Sequence, residues 1–187
     1  MLLKEIYENA KVVSSGKHFT TVNEFTDQIP ALRPRVLWEA ALKISQICDF
    51  KADKIVTEED KGTPLATVVS LISGLPMAIA RWYNYSLEEE SQIAVNIDSE
   101  YFNGKLFLNG VNKKDKVIII DDTLSTGGTI VSLVKAIRES GAEVVDVVCV
   151  IEKEGYGGRE RVLESTGIEV KTIHKILVNQ NGVKVIS

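Results

Sequence analysis

The chain has 187 residues, 26 acidic and 22 basic, with a net charge of −4 and 44% hydrophobic residues. That length and balance fit one globular core and argue against a fusion of two enzymes. The longest apolar stretches, residues 116–120 and 144–151, fall far short of the ~20 residues of a membrane-spanning helix. No Lys/Arg-rich run marks a nucleic-acid partner. The opening Met-Leu-Leu-Lys-Glu-Ile lacks the basic start and long apolar segment of a secretory signal, so the expected compartment is the cytoplasm.

In chain order, residues 1–33 combine a short helix with a strand-like stretch at 19–22 and form a candidate appendage. Over 34–50 the apolar residues Val36, Leu37, Ala40, Ala41, Ile44 and Ile47 recur at three- and four-residue steps, which predicts a helix with one buried face. A strand at 54–57, a helix at 64–73 with Pro64 in its first turn and Gly74 as its stop, and a strand at 77–81 make a strand-helix-strand unit. Residues 82–112 break that rhythm: the acidic run Glu88-Glu89-Glu90 and strand candidates at 92–96 and 105–109 read as an antiparallel hairpin with a long mobile loop. The unit then recurs as a strand at 116–121, a helix at 128–140 closed by Gly141, and a strand at 143–151. A weaker copy follows, with a helix at 159–165, Gly167 and a strand at 169–176. Strands that read as continuous apolar runs are buried on both faces, so the predicted fold class is α/β with a mostly parallel sheet flanked by helices.

Cys48 and Cys149 lie far apart in apolar surroundings and read as two buried free thiols. With no CxxC pair and only His18 and His174, neither a zinc site nor a histidine-centred triad is expected. The chemistry concentrates in residues 117–129, VIIIDDTLSTGGT. An apolar strand leads into Asp121 and Asp122, and a loop of Thr123, Ser125, Thr126, Gly127, Gly128 and Thr129 runs into a helix. The carboxyl end of a parallel strand borders the crevice where open α/β sheets bind ligands. Glycines let the backbone approach a phosphate, and the unpaired amides at a helix start hold the anion. Adjacent carboxylates repel phosphate and suit hydroxyls or the water shell of a metal. A ribose 5-phosphate satisfies both halves. There is no GxxxxGK[ST] of a P-loop and no GxGxxG of a dinucleotide site.

This stretch resembles the signature of the type I phosphoribosyltransferases: an apolar strand, two acidic residues, then a T/S-G-G-T loop. Residues 55–64, IVTEEDKGTP, are similar to the family's pyrophosphate loop, often strained by a non-proline cis peptide. The resemblance gives Asp60, Lys61 and Gly62 the diphosphate of phosphoribosyl pyrophosphate (PRPP), and Glu59 the task of holding the turn. Ile79-Ala80-Arg81-Trp82 resembles the strand end where relatives carry Arg-Lys; Arg81 is matched and Trp82 departs, replacing a cation. The following segment occupies the place of the family's lid, and Glu100-Tyr101 resembles the Glu-Tyr pair of adenine phosphoribosyltransferases. Residues 23–34, NEFTDQIPALRP, resemble the purine hood, which puts Gln28 and Ile29 at the base. Residues 150–153, VIEK, resemble its other half, with Ile151 and Lys153 at the base. Lys153 is a donor only and suits a 6-oxopurine, whereas a backbone carbonyl near Ile151 suits adenine.

The resemblance thus implies a type I fold with a hood at 1–33 and a lid at 82–112 in a single domain. It implies a homodimer that transfers the phosphoribosyl group of PRPP to a purine, with Mg²⁺ carried by PRPP and met through water by Asp121 and Asp122. Asp121, Asp122, Arg81 and Glu100 are its catalytic candidates. The purine stays open between adenine and a 6-oxopurine. A non-catalytic PRPP or nucleotide sensor and an orotate-type enzyme are the alternatives.

Overall fold

The computed structural model describes residues 1–15, 18–84, 92–98 and 103–187. A six-stranded sheet has the order β10-β9-β8-β7-β3-β4, where β3 is Lys54–Glu58, β4 Met77–Ala80, β7 Lys116–Leu124, β8 Glu143–Lys153, β9 Lys171–Asn179 and β10 Gly182–Val185. From β9 to β4 all neighbours are parallel, and β10 returns antiparallel to β9. The α/β reading of the sequence holds, although β10 was not foreseen.

Alternation along the central strand divides the core. In β7, Val117 and Ile119 face one layer with α5 (Gly128–Glu139), α6 (Gly158–Thr166) and the hairpin of β5 (Ile93–Asp98) with β6 (Asn103–Leu108). Ile118 and Ile120 face the other, with α1 (Leu2–Glu8), α3 (Pro34–Ile47) and α4 (Gly62–Ser73). A strand whose every residue meets a helix layer must be apolar throughout, which is why 117–120 reads as a continuous run.

Several boundaries move for physical reasons. β7 does not stop at Asp121. β8 runs beside it to Lys153, pairing Thr123 with Ile151 and Leu124 with Glu152, so the ladder carries both carboxylates inside the strand. β3 likewise extends to Glu58. α4 starts at Gly62, two residues before expectation, which keeps Pro64 in the first turn, where a missing N–H costs nothing. The expected helix stops Gly74 and Gly167 both take the left-handed conformation.

The N-terminal segment is not a detached appendage. α1 inserts Leu3 and Tyr7 into the core, and only β1 (Lys11–Ser15), β2 (His18–Val22) and α2 (Glu24–Asp27) stand above it. Cys149 is buried, but Cys48 at the end of α3 is only partly so, a correction to the expectation of two buried thiols.

The connections place the site. From β3 the chain steps through α4 to β4 on one side; from β7 it steps through α5 to β8 on the other. β3 and β7 are therefore neighbours at which the winding reverses, and their carboxyl ends open a crevice.

Candidate functional site

That crevice holds a cavity of about 260 Å³ bounded by Glu58 at the end of β3, the turn at Asp60 and Lys61, Trp82, and the whole of 121–130. Asp121 and Asp122 are 4% and 5% exposed. The Asp122 amide donates to Asp121 Oδ1 (2.9 Å) and the Thr123 hydroxyl to Asp122 Oδ2 (2.8 Å). Burial, then the charges of Asp122 and Glu58, push the Asp121 carboxyl well above the usual range. The same cavity is lined by Ser125, Thr126, Gly127, Gly128 and Thr129, which lead into α5, whose first amides have no intrahelical acceptors. Gly127 caps that helix at φ +77°, and a Cβ there would lie 2.6 Å from the Gly158 carbonyl. A Cβ at Gly158 would in turn overlap the Ser125 carbonyl, so the loop rests on the start of α6 with no room for either side chain.

The turn after β3 is built from equally tight parts. Asp60 has φ +82°, a left-handed conformation that strains a residue with a Cβ. A Cβ on Gly62 would overlap the Thr57 hydroxyl and sit 2.6 Å from Asp121 Oδ1, so this glycine lets the turn close against the carboxylate. Among the described residues the cis peptide is Ile29–Pro30, outside this turn. Lys61 pairs with Asp27 of α2 at 2.8 Å.

Not every expected residue lines the cavity. Arg81 and Glu59 line an adjoining groove of about 720 Å³ that shares Asp60 and Trp82 with it. Arg81 also exchanges backbone hydrogen bonds with Phe107 of β6. Ile29 is 63% exposed and borders a separate cleft against α1 and Arg33, and Gln28 is exposed beside it. The Ile151 side chain is in the core. Lys153 is buried, donates to Thr20 Oγ1 (3.2 Å) and lies 5.3 Å from the Tyr156 ring centroid, in a neighbouring cleft. Glu100, Tyr101 and the run Glu88-Glu89-Glu90 lie outside the described residues.

The structure adds residues that sequence reasoning passed over. Glu58 is 8% exposed; burial pushes its carboxyl up to about 8, against a hydrogen bond from the Trp82 indole N–H and with the charges of Asp122, Asp60 and Glu59. Tyr7, from α1, has its phenol raised by burial and then by the charge of Asp122. Glu58 is the last residue of a buried strand adjoining β7, and that position was its available signal. Nothing in the sequence pairs Tyr7 with Asp122.

The donor set has a consequence for ligands. Of the charged residues on the cavity wall, Glu58, Asp60, Asp121 and Asp122 are acidic and Lys61 is cationic. Among the described residues no three metal-ligating side chains gather into a cage. Hard oxygen donors on one wall without a cage fit a magnesium ion that arrives on a phosphate ligand and keeps its waters.

Comparison with known proteins agrees with this geometry. The phosphoribosyl transferase domain family matches residues 27–184. The chain is 44% identical over 175 residues to a hypoxanthine/guanine phosphoribosyltransferase of Methanothermococcus okinawensis, covering 94% of this chain and 93% of that one. It is 41% identical over 177 residues to the protein of the same name from Methanocaldococcus jannaschii, covering 94% of each. Among solved structures, an adenine phosphoribosyltransferase of Thermoanaerobacter pseudethanolicus superposes with a TM-score of 0.76 over 92% of this chain and 99% of its own, at 21% identity. At that identity the likeness is one of fold.

Proposed function

Because this chain belongs to the phosphoribosyltransferase family, we propose that it is a purine phosphoribosyltransferase acting on hypoxanthine or guanine. It would join the base to the phosphoribosyl group of PRPP and release diphosphate. The observation that carries this reading is one cavity lined both by paired buried carboxylates and by a hydroxyl- and glycine-rich helix start. The names of the relatives, at 44% and 41% identity over nearly the whole chain, support a 6-oxopurine. The buried ammonium of Lys153, able only to donate, is consistent with a 6-oxo acceptor. Neither a sensor nor an orotate-type enzyme is favoured by these relatives.

In this mechanism Asp121 and Asp122 hold the ribose hydroxyls. The amides and hydroxyls of Ser125, Thr126, Gly127, Gly128 and Thr129 hold the 5-phosphate. Lys61 and the backbone of the 60–62 turn, with Arg81 from the adjoining groove, receive the diphosphate. The bond to the anomeric carbon breaks toward an oxocarbenium-like transition state, so fixed carboxylates and a closed cavity contribute more than a strong acid or base. Asp121 and Asp122 would meet, through water, a magnesium ion carried by PRPP, which would offset the charge of the diphosphate. Lys153 reads the purine from the hood side. Family membership further supports a homodimer and a cytoplasmic salvage role.

The test is PRPP- and magnesium-dependent monophosphate formation, followed spectrophotometrically with adenine, hypoxanthine, guanine, xanthine and orotate separately. Turnover of hypoxanthine or guanine is expected. Turnover of adenine alone would overturn the base assignment, and PRPP binding with no turnover of any base would leave a sensor.

A further inference from the structure

Glu58 is more than nine-tenths buried, borders the cavity, and its Oε1 has no hydrogen-bond partner among the described residues. Trp82 borders the same cavity as this carboxyl, and Oε1 is the oxygen that stands without a partner. A half-partnered buried carboxyl costs stability that an aliphatic side chain in its place would not. Retaining one on the wall that carries Asp121 and Asp122 is the mark of a group whose second bond comes from a ligand.

We propose that Glu58 and Trp82 act as one substrate-binding unit, in which the indole fixes the carboxyl of Glu58 and Oε1 hydrogen-bonds a ribose hydroxyl of the phosphoribosyl group beside Asp121 and Asp122. Glu58 touches substrate; Trp82 is a positioning residue that acts through it. The inference rests on the phosphoribosyl group occupying this cavity, as argued above. A hydroxyl is the fitting partner because it donates as well as accepts, and so satisfies the carboxyl whether or not the carboxyl holds its proton.

The test is a cycle between protein and ligand. Dissociation constants of inosine 5-monophosphate and its 2-deoxy and 3-deoxy forms are measured by calorimetry for the wild type, Glu58→Leu and Trp82→Phe. In the wild type, removing the contacted hydroxyl should weaken binding about 10-fold. In Glu58→Leu that ratio should fall toward one for one of the two deoxy forms, while its melting temperature equals or exceeds the wild type. Trp82→Phe, which keeps the ring and loses the N–H, should raise KM for PRPP more than it lowers kcat, and should add nothing in the double variant. Unchanged deoxy ratios in Glu58→Leu, full additivity of the two substitutions, or a melting temperature that falls in Glu58→Leu would each overturn the proposal. Wild-type protein that binds neither PRPP nor the nucleotide would instead sink the underlying reading of the cavity.

Discussion

The stretch from Asp121 into α5 and the N-terminal segment at 18–34, the proposed hood, are held by different means. At the end of β7 the Asp122 amide donates to Asp121 and the Thr123 hydroxyl to Asp122, each one residue apart, and the strand itself is paired on both sides. The hood is held by side chains that reach far along the chain: Lys61 to Asp27 across 34 residues, Lys153 to Thr20 across 133, and the Tyr156 hydroxyl to the Phe19 carbonyl across 137. A site written in neighbouring residues is preformed wherever the strand forms. One assembled from single distant contacts can be loosened one contact at a time.

The sharpest way to break this contrast is to alter the loop. Asp121→Asn with Asp122→Asn should lower kcat/KM by about 10³-fold or more, with no loss of melting temperature, because neutralising crowded buried carboxylates removes repulsion. Near-normal turnover would remove both residues from the reaction. Gly158→Ala comes next. Its methyl meets the Ser125 carbonyl, a backbone atom that cannot swing aside, so the phosphate loop must shift. PRPP affinity should fall at least about 10-fold, with a stability cost of about 1–3 kcal/mol. An unchanged PRPP dissociation constant would show that the loop does not depend on its seat against α6.

The same division decides what was legible beforehand. The parallel sheet could be read because β7 and β8 are continuous apolar runs, and the cavity-lining loop because its hydroxyls and glycines are contiguous. Glu58 lies in the acidic stretch TEED, where only the adjacency of β3 and β7 distinguishes it from its neighbours. Gly158 gave no sign of its role, because its constraint is the Ser125 carbonyl 33 positions earlier. Tyr7 beside Asp122, and Asp27 on Lys61, are products of tertiary closure that no spacing rule carries. The expectation for Ile29 misled because residues 23–34 turn back on themselves: Glu24 accepts from both the Arg33 amide and its guanidinium, which leaves Ile29 on the far side.

A smaller effect tests the hood. Asp27→Asn removes the ion pair to Lys61, whose partners are 32% and 18% exposed, so the loss is about 1 kcal/mol. With Lys61 released toward the diphosphate, KM for the purine should rise about fivefold, while the dissociation constant of PRPP stays equal or falls. If PRPP binding weakens instead, Asp27 is orienting Lys61 for the diphosphate, and hood and turn form one unit.

The smallest effect, and the one that separates the regions most cleanly, is in pH. In the hood, the Arg33 side-chain bond holds Glu24 below its ordinary 4.5. Asp27 is raised by burial but brought below 3.8 by Lys61, Thr26 and the Asn23 amide. Carboxyls lowered by folding stabilise at neutral pH, and that contribution is lost as the pH falls through the folded values. Amide protection factors over residues 23–34, taken relative to the intrinsic exchange rate at each pH, should therefore fall below about pH 4. Glu58 has the opposite sign. Folded, it keeps its proton up to about 8, while the unfolded chain releases it near 4.5. The folded state binds more protons across that window, so its stability falls as the pH rises. The melting temperature of ligand-free Glu58→Leu relative to wild type should then grow between pH 4.5 and 8 and level off above. A difference that stays flat across that window would mean the cavity does not hold Glu58 protonated, and would leave the two regions alike in their electrostatics.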